Sequence, residues 1–424
     1  MASTGLSFSV PGEAAVPAAC DVVVGIAAWN NAGTIGDVAR AVAHALGRYG
    51  PGAGVVLADG GSADGTIERA REALAGMPAV MTVEFARPAI DPLRAPYHGL
   101  PGRPAAMASI FREAAGRQAK ALALVDAALT SVTPDWIARL VDPVLEGGFD
   151  FVSACHARLA HEGAITRSIV YPLFRALYGL RLHQPAAGEF GCSLRFVRQV
   201  LDQDIWAGEA AQTGIDVWLE SEAATGQFQV GEAQLGPRTR APTPDAPDLS
   251  TTLTQVVGAL FADLAARTEV WQRVRGSVPV PSFGEAPKIA EPSSVPDVMP
   301  MLEAFRLGYT ALADLWGWIL EPRILLQLKR LASAPPERFR VDDGLWVQIV
   351  YDFALAYGLR TLPRDHLLGA LTPLYLGWLA GFLLELGEAE PADADARVER
   401  LCLAFETKKP YLIAGWRWPD RFRA

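Results

Sequence analysis

Cysteine is scarce: Cys20, Cys155, Cys192 and Cys402 stand far apart in 424 residues, and no Cys-x-x-Cys pair occurs. Paired-thiol zinc or redox chemistry is thereby excluded, and reduced thiols in a cytoplasmic setting are the expectation. Histidine is equally sparse, and His156 and His161 have no ligand partner at helical spacing, so each reads as a polar loop residue. No Ser-His-Asp or Cys-His order suggests a hydrolase. Positive charge is short as well. A net charge of −9 without a long basic stripe repels a phosphate backbone, so nucleic acid is not an expected partner. Met1 to Pro17 lacks the basic start and apolar core of a secretion signal. The uncharged run Leu367 to Leu384 has the length of a membrane span, but Pro373 interrupts it and Thr372, Gly377 and Gly381 dilute it. It reads as a buried core helix, so no transmembrane segment is expected, with membrane-surface contact left open. Finally, Gly25-Ile-Ala-Ala-Trp29 lacks the Gly-x-Gly-x-x-Gly that a dinucleotide site places after the first strand.

Half the residues are hydrophobic and a fifth charged, which fits a large packed core, and the length suits a catalytic domain plus a second unit. Short apolar runs at Asp21–Ala28, Val55–Asp59, Ala79–Phe85, Ala121–Asp126 and Phe151–Cys155 alternate with helical patterns at Gly33–Leu46, Asp64–Leu74, Ala105–Ala115 and Pro134–Leu145. This alternation predicts an α/β fold with a mostly parallel sheet covered by helices. Thr133-Pro134 is a helix start, Thr offering a cap and Pro fitting the first turn. Asp126 therefore falls at the carboxyl end of a strand, where open α/β sheets bind ligands. Gly231–Leu235 reads as another strand, and Asp248–Arg275 carries a long apolar helical periodicity. Prolines, glycines and serines then cluster in one stretch, and from Met299 onward the pattern is helical. The predicted layout is an N-terminal extension at 1–20, a nucleotide-binding domain at 21–275, a linker at 276–298 and an all-α domain at 299–424. The tail Trp416-Arg-Trp418 is expected to pack on that helical domain.

Several segments carry groups suited to chemistry. Asp59-Gly-Gly-Ser-Ala-Asp64-Gly-Thr66 opens the second strand onto a turn whose glycines let backbone come close, with Asp64 able to cap the next helix; a plain glycine-rich turn reads equally well. Gly99-Leu-Pro-Gly-Arg103 offers a forked cation, or a solvated loop arginine. Arg158 and Thr166, eight residues apart, suit a small carboxylate, or are a surface arginine and a helix-entry threonine. Glu189 stands between glycines beside Phe190 with little structural reason to be there. Asp216 is a site acid or a helix N-terminal acid.

Taken in order, these segments resemble a GT-A glycosyltransferase of the family 2-like type over Val22 to Leu260, nearest to the mannosylglycerate synthase and glucosyl-3-phosphoglycerate synthase group. The resemblance implies that Asp59 and the strand end at Ala28-Trp29-Asn30-Asn31 face the nucleotide, and that Arg103, in place of the family's lysine, contacts donor phosphate or ribose. Asp126 stands for the first acid of the family's Asp-x-Asp, whose Mg²⁺ or Mn²⁺ meets the donor diphosphate. The second acid is absent in Asp126-Ala127-Ala128, and Arg240 occupies the position of the metal-binding histidine. With Ala128 and Arg240 in place of ligands, a reduced or absent metal site resting on Asp126 alone is implied. Arg158, Ile165 and Thr166 resemble the acceptor-binding stretch, while Glu189 and Asp216 resemble the loop and helix that hold sugar hydroxyls or orient the acceptor, which with Asp126 makes them the catalytic candidates. The implied activity is transfer of a hexose from a GDP- or UDP-sugar to a small, glycerate-like hydroxyl acceptor, retaining by likeness. The competing reading is a catalytically inactive sugar-nucleotide-binding or scaffold protein; a nucleotidyltransferase is weaker, for want of its basic glycine-rich loop. A homodimer is compatible with the sequence.

Overall fold

The computed structural model describes residues 19–87, 99–159, 161–206, 209–241, 248–285, 296–387 and 391–419; of the expected 1–20 extension only Ala19 and Cys20 lie among them. In chain order the elements are β1 (Val22–Ala28), α1 (Ile35–Leu46), β2 (Ala53–Asp59), α2 (Thr66–Ala73), β3 (Val80–Glu84), α3 (Arg103–Gly116), β4 (Ala121–Asp126), α4 (Pro134–Leu145) and β5 (Phe151–Ala157). Next come α5 (Tyr171–Tyr178), β6 (Leu180–Arg181), β7 (Phe190–Ser193), α6 (Leu194–Leu201), α7 (Glu209–Thr225) and β8 (Val230–Pro237). Then follow α8 (Leu249–Ala266), α9 (Thr268–Trp271), β9 (Val278–Pro279), β10 (Ser282–Phe283), α10 (Met299–Trp316), α11 (Pro322–Ala332), α12 (Asp343–Leu359), α13 (Arg364–Leu386) and α14 (Pro391–Arg417).

These elements form two compact units, one drawn from 1–157, 186–247 and 281–287, the other from 158–185, 248–280 and 288–424. The first unit is built on an eight-stranded sheet ordered β10-β8-β5-β7-β4-β1-β2-β3. Every residue of β1, β2 and β4 is buried, the signature of strands covered on both faces, which is why each reads as a continuous apolar run. β7 runs antiparallel between β4 and β5, and the other described pairs are parallel. The expected mostly parallel, helix-covered sheet is therefore present. Gly191 lets α4 lie directly on β7, because a Cβ there would sit 2.0 Å from the Leu140 carbonyl oxygen. Thr133 precedes α4 in extended conformation, yet its side chain makes no capping bond, so Pro134 alone supplies the start signal.

The second unit is helical, as expected for the C-terminal region, but it also takes in residues 158–185 and 248–280, of which pattern alone assigns 158–185 and 248–275 to the nucleotide-binding domain and 276–280 to the linker. Part of the segment expected to be a linker forms short strands: Val278 and Pro279 make β9 against β6, and Ser282 and Phe283 join the main sheet beside β8, while 286–295 lie outside the described residues. Its prolines disguise edge strands, where a missing N–H is tolerated. Within the unit, Trp346 and Trp378 stack at 5.8 Å between centroids, and Gly308 of α10 makes room for Pro373 of α13, which a Cβ would meet at 2.3 Å. Arg175 is buried yet saturated by Glu399 and Glu406, each at 2.6 Å. Trp416 packs edge-on to Trp271 at 5.7 Å, whereas Trp418 is exposed. Among the described residues, two helices, α8 and α13, are long and apolar enough to cross a membrane; half of the apolar stretch of α8 and 72% of that of α13 are buried within the protein.

Candidate functional site

Parallel register brings the carboxyl ends of the central strands level. Ala28 pairs with Asp59 across β1 and β2, and Ala27 pairs with Asp126 across β1 and β4. Asp59 and Asp126 thus stand on one rim, two strands apart. Antiparallel β7 brings its first residue, Phe190, opposite Leu124 and Ser153, so Glu189 enters from the same side. β8 ends at Pro237, delivering Arg238 and Arg240 to this rim. The loop carrying Arg240 zips onto the Asp126 loop: Thr130 N–H donates to the Thr239 carbonyl at 3.0 Å and Ala241 N–H to that of Ala128 at 3.0 Å.

The Asp126 carboxylate is held from two sides. Ala128 N–H donates to one oxygen at 2.9 Å and Arg240 Nη2 to the other at 2.6 Å. Asp126 is 3% exposed and Arg240 23%, so the pair sits at the mouth of the buried region. The Gly99–Arg103 loop borders it, since a Cβ on Gly99 would lie 3.5 Å from Arg240 Nη2. Arg103 itself is not a solvated loop cation. It opens α3, is buried, grips Asp216 through Nη2 at 2.8 Å and Nε at 3.0 Å, and donates to the Gly188 carbonyl at 2.6 Å. Burial works against its charge, but the Asp216 carboxylate outweighs that and raises its pKa. Asp216 lies about two turns inside α7, which begins at Glu209, so a helix N-terminal role does not apply to it.

Glu189 is the most enclosed acid of the rim. Arg238 meets it as a fork, Nε to Oε2 and Nη2 to Oε1, both at 2.9 Å, and His156 Nε2 lies 3.0 Å from Oε2. Burial alone would raise its pKa; Arg238 and His156 together hold it well below the ordinary carboxylate range. Four residues after Asp216, Glu220 has the opposite fate. It is also buried, and burial pushes its pKa up to about 8, although Ser153 Oγ donates to it at 2.6 Å. Asp216 and Glu232 add repulsion.

The nucleotide-facing turn is tied up internally. Asp59 accepts from Gly61 and Ser62 N–H, each at 2.8 Å, and from Ser62 Oγ at 2.6 Å, the turn-forming use of a short acid. Asp64 accepts from Thr66 Oγ1 at 2.5 Å, Thr66 N–H at 3.1 Å and Ala32 N–H at 2.9 Å, holding the start of α2 and stitching it to the loop after β1; burial raises its pKa, but these bonds, the Thr66 hydroxyl first, outweigh it and lower the pKa. Ala28 is fully buried and its carbonyl accepts from Gly60 N–H at 3.0 Å. Beside it, the Arg87 guanidinium lies over the Trp29 ring, 4.3 Å from the centroid.

Arg158, Ile165 and Thr166 belong to the second unit. Arg158 folds over Gly163, where a Cβ would meet Nη1 at 2.3 Å, and Thr166 starts a π-helical turn, Thr166–Val170, that runs into α5. The structure thus gathers Ala28, Asp59, Arg103, Asp126, Glu189, Asp216 and Arg240 within one unit and leaves the acceptor trio in the other. His156, expected in a loop, is buried on β5 against Trp136 and Glu189. Sequence reading also missed Arg238, Ser153 and Glu220. The proximity of Arg238 to Arg240, and of Glu220 one helical turn beyond Asp216, were the available signals.

An α/β sheet with a charged rim at its strand ends is a ligand-binding architecture. No family model and no curated protein matches the chain. Its structure is similar to that of glucosyl-3-phosphoglycerate synthase from Mycobacterium tuberculosis in complex with Mn²⁺, UDP-glucose and phosphoglyceric acid, at 20% identity, covering 62% of this chain and 87% of that one, with a TM-score of 0.41. A mycobacterial protein is similar at 20% identity over 58% of this chain and 74% of its own, TM-score 0.41. The same synthase with glycerol 3-phosphate shows 21% identity, coverage of 56% and 80%, and a TM-score of 0.37. At this identity and score the likeness assigns no activity.

Proposed function

We propose that the rim formed by β1, β2, β4, β7 and β8 binds a nucleotide sugar and that the chain transfers its hexose to a small hydroxyl acceptor, as a GT-A glycosyltransferase. The observation that carries this reading is the convergence on one rim of Asp59, Asp126, Glu189 and Arg240, assembled by register across six strands, β2, β1, β4, β7, β5 and β8. Transfer of this kind requires an acceptor placed beside the anomeric carbon and stabilisation of the departing diphosphate. Arg240 is the group positioned for the second task.

A divalent cation does not fit the residues present. Ala128 has no side-chain ligand, and Asp126 has one oxygen on a backbone N–H and the other on Arg240, whose charge would oppose a metal. We therefore assign charge balance at the diphosphate to Arg240. At an effective dielectric of about 20, unit charges roughly 4 Å apart attract by about 4 kcal/mol, a substantial fraction of what a leaving group needs. The donor is a UDP- or GDP-hexose, with retention of configuration. The acceptor is a small glycerate-like anion, and the setting is cytoplasmic. Calorimetric titration of UDP-glucose and GDP-mannose, with Mn²⁺ or with chelator, tests the reading: binding of one donor unaffected by chelator is expected, and strict dependence on Mn²⁺ contradicts it.

A second reading, an inactive nucleotide-sugar-binding protein, is favoured by one observation. Arg103, Arg238 and Arg240 are each already paired with a site carboxylate, so donor phosphate must compete with Asp126 for Arg240. Transfer by the unaltered chain in chelator separates the two readings.

A further inference from the structure

The turn that leads into Glu189 is made of conformations that a chain does not hold unaided. Ala186 adopts φ +69 and Gly188 φ +100, both in the left-handed region, and such backbone persists only where its surroundings fix it. Arg103 supplies the fixing group. Its Nη2 donates to the Gly188 carbonyl at 2.6 Å and to Asp216 Oδ1 at 2.8 Å, while Nε donates to Asp216 Oδ2 at 3.0 Å. Because a guanidinium is planar and its donors diverge at set angles, the place of the Asp216 carboxylate dictates where the Gly188 carbonyl is held. Both ends of this strut are firm. Asp216 stands inside α7, and Arg103 opens α3 directly after Gly102, where a Cβ would lie 3.1 Å from the Ala86 carbonyl oxygen, so the helix start is wedged against the chain leaving β3. The next carbonyl along, that of Glu189 itself, accepts from Ala154 N–H at 3.2 Å. Glu189 is thus anchored through two successive carbonyls, the first by a side chain from α3 and the second by β5.

From this geometry we infer that Arg103 is a positioning residue: it clamps the Gly188 carbonyl to α7 and so sets where Glu189 presents its carboxylate to Arg238, and it does not meet the donor phosphate or ribose that the family resemblance implies for it. Arg103 is 3% exposed and Asp216 6%, so a phosphate would have to enter the buried region and displace a bonded carboxylate to reach the guanidinium. Arg240, 23% exposed, stands nearer solvent and keeps the phosphate task. The clamp also accounts for arginine where the family carries lysine. A compact ammonium on a flexible stem does not fix a carboxylate and a carbonyl in one plane, whereas the guanidinium fork does. The consequence for transfer rests on the glycosyltransferase reading; the clamp itself does not.

Hydrogen exchange followed by mass spectrometry tests the clamp without any substrate. Arg103→Lys is expected to lower the protection of a peptide spanning 184–190 by about tenfold, as befits loss of a hydrogen bond from a charged donor, with peptides of β1 unchanged. Arg103→Met combined with Asp216→Leu removes both buried charges together, which keeps the fold, and is expected to show the same local loss. Wild-type protection at 184–190 in that double variant overturns the inference. Calorimetry with UDP-glucose, and kinetics with UDP-glucose and D-glycerate, separate holding from binding. In Arg103→Gln the donor Kd and KM are expected to stay within about threefold of wild type while kcat falls about tenfold. A Kd weakened roughly a hundredfold, with protection at 184–190 intact, would make Arg103 a phosphate contact and overturns the inference. Absence of donor binding and of transfer in the wild type, with the exchange result intact, counts against the proposed function alone.

Discussion

Replacing Asp126 by Asn and Arg240 by Met, singly and together, measures the pair on which the charge of the site turns. The nitrogen and oxygen are 2.6 Å apart, Asp126 is 3% exposed and Arg240 23%. With charge centres about 4 Å apart and an effective dielectric of about 20, the direct attraction is about 4 kcal/mol; partial exposure and the ordering of a long side chain reduce it, giving an expected coupling of about 1–3 kcal/mol. Arg240→Met alone should be the harsher single change, by about 1 kcal/mol or more, because it leaves a buried carboxylate with only the Ala128 N–H. Urea unfolding of the four proteins provides the cycle, read on the transition that Asp126→Asn moves, since a chain of two compact units need not unfold in one step. The coupling should change little in 1 M NaCl, as befits a pair set back from solvent. A coupling below about 0.5 kcal/mol would mean that Arg240 is not held by Asp126, and the case for an arginine in place of a cation would go with it.

Four further outcomes are expected. Ala128→Asp combined with Arg240→His should create Mn²⁺ affinity, seen as a rise in Tm with added Mn²⁺ that the wild type does not show; equal responses would contradict the fit argument. Arg238→Ala should cost about 3 kcal/mol by leaving the buried Glu189 carboxylate with His156 as its remaining partner, and Arg238→Ala with Glu189→Gln should recover part of it in thermal denaturation. Glu220 has a folded pKa of about 8 against an ordinary 4.5, so its contribution is intact below pH 4.5 and lost as pH rises towards 8. At roughly 1.4 kcal/mol per pH unit this amounts to at most about 5 kcal/mol, and Glu220→Gln should flatten the stability profile between pH 5 and 8.5. Gly191→Ala should destabilise by about 1–3 kcal/mol or more, because its methyl meets the Leu140 backbone; a loss under about 0.5 kcal/mol would show that α4 can shift away.

Strands β1, β2 and β4 were legible because burial on both faces leaves an apolar run with few interruptions, and α13 because a long uncharged stretch broken by Pro373 still packs as a helix. β7 was not, because Phe190-Gly-Cys-Ser is short, lacks alternation and owes its existence to partners far away in β4 and β5. β9 and β10 hide behind prolines for the same reason. Within the site, residue types and order pointed to Asp126, Glu189 and Arg240, but not to who holds whom. The Glu189–Arg238 fork joins residues 49 positions apart, and no spacing rule announces it. Asp59 shows the converse: a residue that looks like a ligand from its motif uses its bonded oxygens on Gly61 and Ser62.

The route of the chain has a bearing on biosynthesis. β8 gains its outer neighbour only when Ser282 and Phe283 return, after the excursion through 248–280, with Pro281 accepting the Glu232 N–H at 2.9 Å. During translation the sheet is therefore left with a raw, hydrogen-bond-hungry margin for some forty residues beyond β8, a window in which sticking to another nascent copy is favoured. Expression trials that trim the chain before this return should yield inclusion bodies, whereas those that retain it keep the margin sealed.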